Sequence, residues 1–189
     1  NVAITPIIGA GGISASGNVA LVLENSTVAA NSSAADAVGG ILLDVGATNP
    51  PSAGNALPPA VTLQSSIVAD SLNGAFDIGI SDEVTLPTVT VNASQSLIGV
   101  VEPGVSVVGS GNLLGVNPNL GPLAFNGGNT RTQALLAGSP AINAGSNPLG
   151  LTTDQRGAGF PRVVGAATDM GAFQSGSGRS LAPMRWPSA

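Results

Sequence analysis

Val19-Ala20-Leu21-Val22-Leu23-Glu24-Asn25-Ser26-Thr27-Val28-Ala29-Ala30-Asn31-Ser32 decides how this chain is read. An apolar run is followed by a polar Asn-Ser pair, a second short apolar run and another Asn-Ser. Short strands separated by turns have this form. Branched aliphatic residues fill a pleated surface, while Asn and Ser tolerate left-handed backbone and bond to neighbouring amides. The pattern returns: Ala60-Val61-Thr62-Leu63 leads into Gln64-Ser65-Ser66-Ile67-Val68-Ala69-Asp70-Ser71, and a weaker copy runs from Val89 to Ile98. Gly11-Gly12-Ile13 recurs as Gly39-Gly40-Ile41.

The spacing sets the architecture. Gly12 to Gly40 is 28 residues, and Leu63 to Val91 is again 28. Leu23 to Leu63 is 40, with the excess in the Pro-rich stretch Asn49–Pro59, which reads as an exposed inserted loop. A multi-residue pattern recurring at a fixed step marks a repeat fold. One repeat cannot bury its own inner face, whereas coils stacked about 4.8 Å apart form parallel sheets around a continuous apolar interior. Residues 1–116 are therefore expected to be all-β, as coils of a parallel solenoid. A β-sandwich also needs many short strands, but it does not need the recurrence. Ser26 to Ala37 is Ala-rich, yet its Asn-Ser-Ser turn and β-branched residues argue against a helix.

Composition narrows the chemistry. Of 189 residues, 43% are apolar and 8% charged, with 27 Gly and 14 Pro. There is no Cys, His, Lys or Tyr. Disulfides and thiolate metal sites are excluded, as are Ser-His-Asp catalysis, His-ligated zinc, Schiff-base chemistry and a P-loop. A net charge of −5 argues against nucleic acid as a partner. No apolar run approaches the roughly 18 residues of a membrane span, and no signal peptide is visible. Asn1 opens inside a patterned segment, so this is expected to be the C-terminal part of a longer chain.

Residues 117–173 differ in kind. Asn117-Pro-Asn-Leu-Gly-Pro-Leu, Asn126-Gly-Gly-Asn-Thr, Thr132-Gln-Ala-Leu-Leu-Ala-Gly-Ser-Pro-Ala-Ile-Asn-Ala-Gly145, Asp154-Gln-Arg-Gly, Pro161-Arg162 and Asp169-Met-Gly-Ala-Phe173 follow in this order. The stretch resembles the C-terminal module of bacterial secreted right-handed parallel β-helix proteins of the choice-of-anchor Q type. The resemblance implies a right-handed parallel β-helix (solenoid) with an irregular C-terminal capping module, in a secreted or cell-surface bacterial protein, often adhesin-like. It supplies no catalytic set. Gln133 stands where the family often has His, Ala137 where it has Pro, Asn143 where it has Asp and Gln174 where it has Glu, so no metal or acid–base role carries over to those positions.

On physical grounds the module is expected to cap the solenoid's open end, whose unpaired backbone groups would otherwise recruit other strands. Its charges from position 132 to 178 are Asp154, Arg156, Arg162 and Asp169. Two acids and two arginines predict partly buried ion pairs that fix the loops. The competing reading is a small anion or sugar site on Arg156 and Arg162. Residues 174–189 have linker composition, and the sole Trp186 is a candidate contact with the solenoid or a partner.

An enzyme route remains through paired carboxylates, with Asp36, Asp44, Asp70 and Asp77 as candidates. Glycoside hydrolysis needs two carboxyls about 5 to 9.5 Å apart across a groove. The adjacent Asp82 and Glu83 would point to opposite faces of a strand. The expected function is a non-catalytic, adhesin-like segment with no catalytic, cofactor or metal residues of its own, whose partner is a glycan or a host or cell-surface molecule. The alternative is the C-terminal part of a polysaccharide-active β-helix enzyme whose site lies on coils outside this chain, with Thr48–Pro59 shaping one groove wall. Self-assembly through solenoid ends or the Trp186 tail is a third route.

Overall fold

The computed structural model describes residues 11–33, 37–44, 58–73, 76–81 and 88–176. These residues are all-β and contain no helix, so none is long and apolar enough to cross a membrane. Asp36, Asp82, Glu83, Trp186 and nearly all of the Thr48–Pro59 loop lie outside the described residues.

Consecutive strands go to three different sheets in turn. β1 (Ile13–Ser16), β2 (Ala20–Glu24) and β3 (Thr27–Ala29) begin one sheet each. β4 (Val38–Asp44), β5 (Ala60–Gln64) and β6 (Ile67–Ala69) lie beside them, followed by β7 (Phe76–Ile80), β8 (Val89–Ser94) and β9 (Leu97–Ile98). β10 (Val105–Val108) and β11 (Leu113–Leu114) extend the second and third sheets, while a single bridge from Ile78 to Val101 continues the first. The resulting orders are β1-β4-β7, β10-β8-β5-β2 and β11-β9-β6-β3, with every pairing parallel.

Register corrects the repeat arithmetic at two places. Ile13 opposes Ile41 and Leu23 opposes Leu63, as the steps of 28 and 40 require. Leu63, however, opposes Ala93 rather than Val91, which makes that step 30. There is also a fourth copy, which the spacing does not predict: Val105 opposes Val89 and Leu113 opposes Leu97, a step of only 16. This last circuit is short because Val101 alone stands where a full first-sheet strand would be.

The three sheets enclose one apolar core. Ile41, Leu43, Val61, Leu63, Val68, Ile78, Val91 and Ile98 are fully buried within it. The corner between second and third sheets is built the same way four times. Asn25, Ser65, Gln95 and Gly111 each turn the chain with positive φ, at 45, 49, 45 and 72°. From the second copy on, the next residue supplies a side-chain acceptor. Ser26 N donates to Ser66 Oγ, Ser66 N to Ser96 Oγ and Ser96 N to Asn112 Oδ1, all at 3.1 Å. Each buried turn amide is thus satisfied by the following circuit, as burial demands.

After Leu114 the pairing changes to antiparallel, in the hairpin of β12 (Leu120–Ala124) and β13 (Thr132–Leu135). Residues beyond Leu135 are turns and isolated bridges. They do not sit over the terminal strands as an end cap would. Leu135, Ala141 and Met170 pack with Ile67, Ala69 and Leu97 on the outer face of the third sheet. Asn25 Nδ2 donates to Ser146 O at 2.8 Å, Ser146 N to Ser65 Oγ at 2.9 Å and Ala172 N to Thr27 Oγ1 at 3.0 Å. The module therefore seals the flank of the stack from the first circuit to the last. The reason is visible in the third-sheet strands, which are apolar on both faces and need cover on both.

Candidate functional site

The charged cluster of the module is built around Arg156. Its guanidinium bonds Asp154 through Nε at 3.0 Å and through one terminal nitrogen at 2.6 Å. Their side chains are 4% and 0% exposed. The same nitrogen donates to Gln174 O at 2.7 Å, and the guanidinium plane lies between Phe160 and Phe173, 4.1 and 3.8 Å from the ring centroids. A planar, weakly hydrated cation with a forked donor set suits such a slot, where lysine would not. Asp154 also accepts the amides of Arg156 at 2.8 Å and Gln174 at 2.9 Å. The Gly127-Gly128 pair permits this packing, because a Cβ at Gly127 would meet the Phe160 ring and one at Gly128 would meet the Arg156 backbone.

Of the two ion pairs expected from the sequence, this is the one formed. Arg162 is 1% exposed, and its terminal nitrogen donates at 2.7 Å to the backbone oxygen of Asp169, not to the carboxylate. Its Nε has no partner among the described residues, and burial pushes its pKa below the ordinary guanidinium value, against the pull of Asp154 and Asp169. The Asp169 carboxylate instead accepts the amides of Asn143 at 2.8 Å and Ser175 at 2.5 Å. Gln174, fully buried, accepts the amide of Asp169 at 3.0 Å. A glutamine at this position tightens the loop without adding charge. Both arginines face inward, so the alternative anion or sugar site on Arg156 and Arg162 has no access to solvent.

The carboxylate candidates fall in two places. Asp44 is half-buried and accepts the Ser81 hydroxyl at 2.9 Å. Asp70 and Asp77 come together in a cleft of about 210 Å³ at the corner that follows the third sheet, lined also by Ser71, Phe76, Val100 and Asn117. Asp77 is 4% exposed, and both its oxygens are engaged, one by the amide of Ser71 at 2.9 Å and the other by that of Val100 at 2.7 Å. It ties successive circuits together. Asp70 sits at the mouth with φ 58°, and its pKa is raised, first by partial burial and then by the charge of Asp77. The arrangement has one carboxylate held by amides and one with a strengthened hold on its proton, beside a hollow.

A second hollow, of about 450 Å³, lies between the hairpin residues Leu123 and Gln133 and the first-circuit stretch Thr27–Asn31. Among the described residues no three acidic, His or Cys side chains gather as a metal site. No protein-family model, curated protein or solved structure matches the chain.

Proposed function

We propose that this chain is a non-catalytic, adhesin-like structural segment of a secreted or cell-surface bacterial protein, a right-handed parallel β-helix braced by residues 117–173. The observation that carries the reading is where polar groups are used. Asp154, Arg156, Asp169 and Asp77 all turn their hydrogen-bonding capacity inward to hold loops and circuits in place. The second sheet, in contrast, keeps its outer face open. Val22, Thr62, Asn92 and Val108 form one cross-strand row on it, with Thr90 exposed on the strand of Asn92. A flat face of hydroxyl and amide groups with small apolar patches suits the hydroxyl-rich surface of a glycan, where hydrogen bonds and apolar contact are both on offer.

A glycan array run beside a depolymerisation assay tests this. The expected result is binding without cleavage, lost in the Thr90→Ala/Asn92→Ala double variant. The cleft at Asp70 and Asp77 favours a second reading, that of a polysaccharide-active β-helix enzyme, because it sets a carboxyl with a raised pKa beside a second carboxylate, the kind of pair that glycoside hydrolysis uses. Cleavage by this chain that disappears in Asp70→Asn would establish the second reading and sink the first.

A further inference from the structure

We propose that the edge formed by β10 and β11 pairs with the same edge of a second copy of this chain, joining two molecules end to end about a two-fold axis. The strand orders leave β10 outermost in the second sheet and β11 outermost in the third. The neighbouring edge of the first sheet is blocked. Glu102 N donates to Ile78 O at 2.9 Å, and Glu102 Oε2 accepts the amide of Ile80 at 2.7 Å, so a carboxylate occupies the place of a further strand. Among the described residues nothing comparable protects β10 and β11. No charged residue occurs from Pro103 to Thr130, and Val108 and Leu114 on this edge are 42% and 50% exposed.

The corner ladder ends here too. Ser26, Ser66 and Ser96 each pass their amide to the following circuit, but the amide of Asn112, next in the series, has no acceptor among the described residues. Val105 and Val107 are core residues only partly buried at this end. An uncapped, uncharged edge with unfinished hydrogen bonding is a template for another strand. The partner is a second copy because it presents the same uncharged, unfinished edge. At a net −5, two of these chains repel in most orientations. A two-fold contact brings each patch against itself, and along this edge no like charges meet.

Light scattering coupled to size exclusion tests the proposal. The wild-type chain is expected at twice its monomer mass at micromolar concentration, and Val108→Lys/Leu114→Lys at the monomer mass with unchanged far-ultraviolet circular dichroism. The chain has no cysteine, so a short bis-maleimide linker should join Val108→Cys molecules into covalent dimers and leave Val163→Cys, exposed on the module, monomeric. That cross-link decides the matter if the lysine variant does not fold. A monomeric wild type overturns the proposal, as does a dimer that survives the lysines. So does a dimer that is lost only on removing residues 177–189, which would place the contact in the tail.

Discussion

At the scale of single residues, Arg156 shows how a low-charge chain uses the few charges it has. The cation is enclosed by two rings and a carboxylate, with almost no water contact. A buried pair adds little net stability over an apolar substitute, but breaking it strands a charge. Asp154→Ala is expected to lower the unfolding free energy by about 3 to 5 kcal/mol, measured by urea denaturation. A loss below about 1 kcal/mol, the range of a surface pair, would show that the cluster is solvated. Asp70 gives the opposite kind of test. Its raised pKa means the folded state holds the proton more tightly than the unfolded chain. Stability contributed by this group is present at low pH and is lost as pH rises from its ordinary value of 3.8 through the raised one. Asp70→Asn should therefore gain melting temperature relative to wild type between pH 3 and pH 7, by a small margin because Asp70 remains part-exposed. A difference that does not change with pH would remove the interaction with Asp77.

At the scale of elements, the corner ladder is the unit that repeats, and its members are not equivalent. Ser66 is fully buried, accepts the Ser26 amide and donates to Gln64 O at 3.0 Å. Ser26, half-buried, donates to Glu24 O at 2.8 Å and receives no amide among the described residues. Ser66→Ala leaves a turn amide without its acceptor and should cost about 1 to 3 kcal/mol, whereas Ser26→Ala should cost about 1 kcal/mol or less. Equal losses in chemical denaturation would mean that the ladder is incidental. The same elements show what was legible in advance. Gly12 and Gly40 fixed one register because glycine pairs are rare enough to align. A step of 28 sets Val91 against Leu63, two residues from its true partner Ala93, and alternation cannot separate the two registers because residues two apart share a face. Ser110-Gly111-Asn112-Leu113-Leu114 does not stand out as a fourth copy, because Val101 alone takes the place of a first-sheet strand and the step is only 16. In the module, the charged residues were visible as a set, but their partners were not. Arg162 bonds a backbone oxygen and Asp169 bonds amides, and backbone groups leave no mark in a sequence.

At the scale of the whole molecule, the relation between stack and module decides how the chain unfolds. An end cap would touch one circuit, but this module crosses the third sheet and completes the burial of Ile67 and Leu97, which have no exposure at all. The signal was present in Ile67-Val68-Ala69 and Leu97-Ile98, apolar at adjacent positions and so apolar on both faces. Uncovering Ile67 and Leu97 alone costs about 3 to 6 kcal/mol at about 1.5 to 3 kcal/mol per large aliphatic side chain. That is a large part of the stability of a domain this size. Stack and module should therefore melt as one unit. Urea unfolding of the intact chain is expected to give a single transition, coincident by circular dichroism and by hydrodynamic radius. A chain ending at residue 116 should bind a hydrophobic dye and aggregate, because a flank and not merely an edge has been stripped. Two separate transitions, or a soluble dye-free stack after truncation, would mean that the third sheet stands without its cover and that the module is a passenger on it.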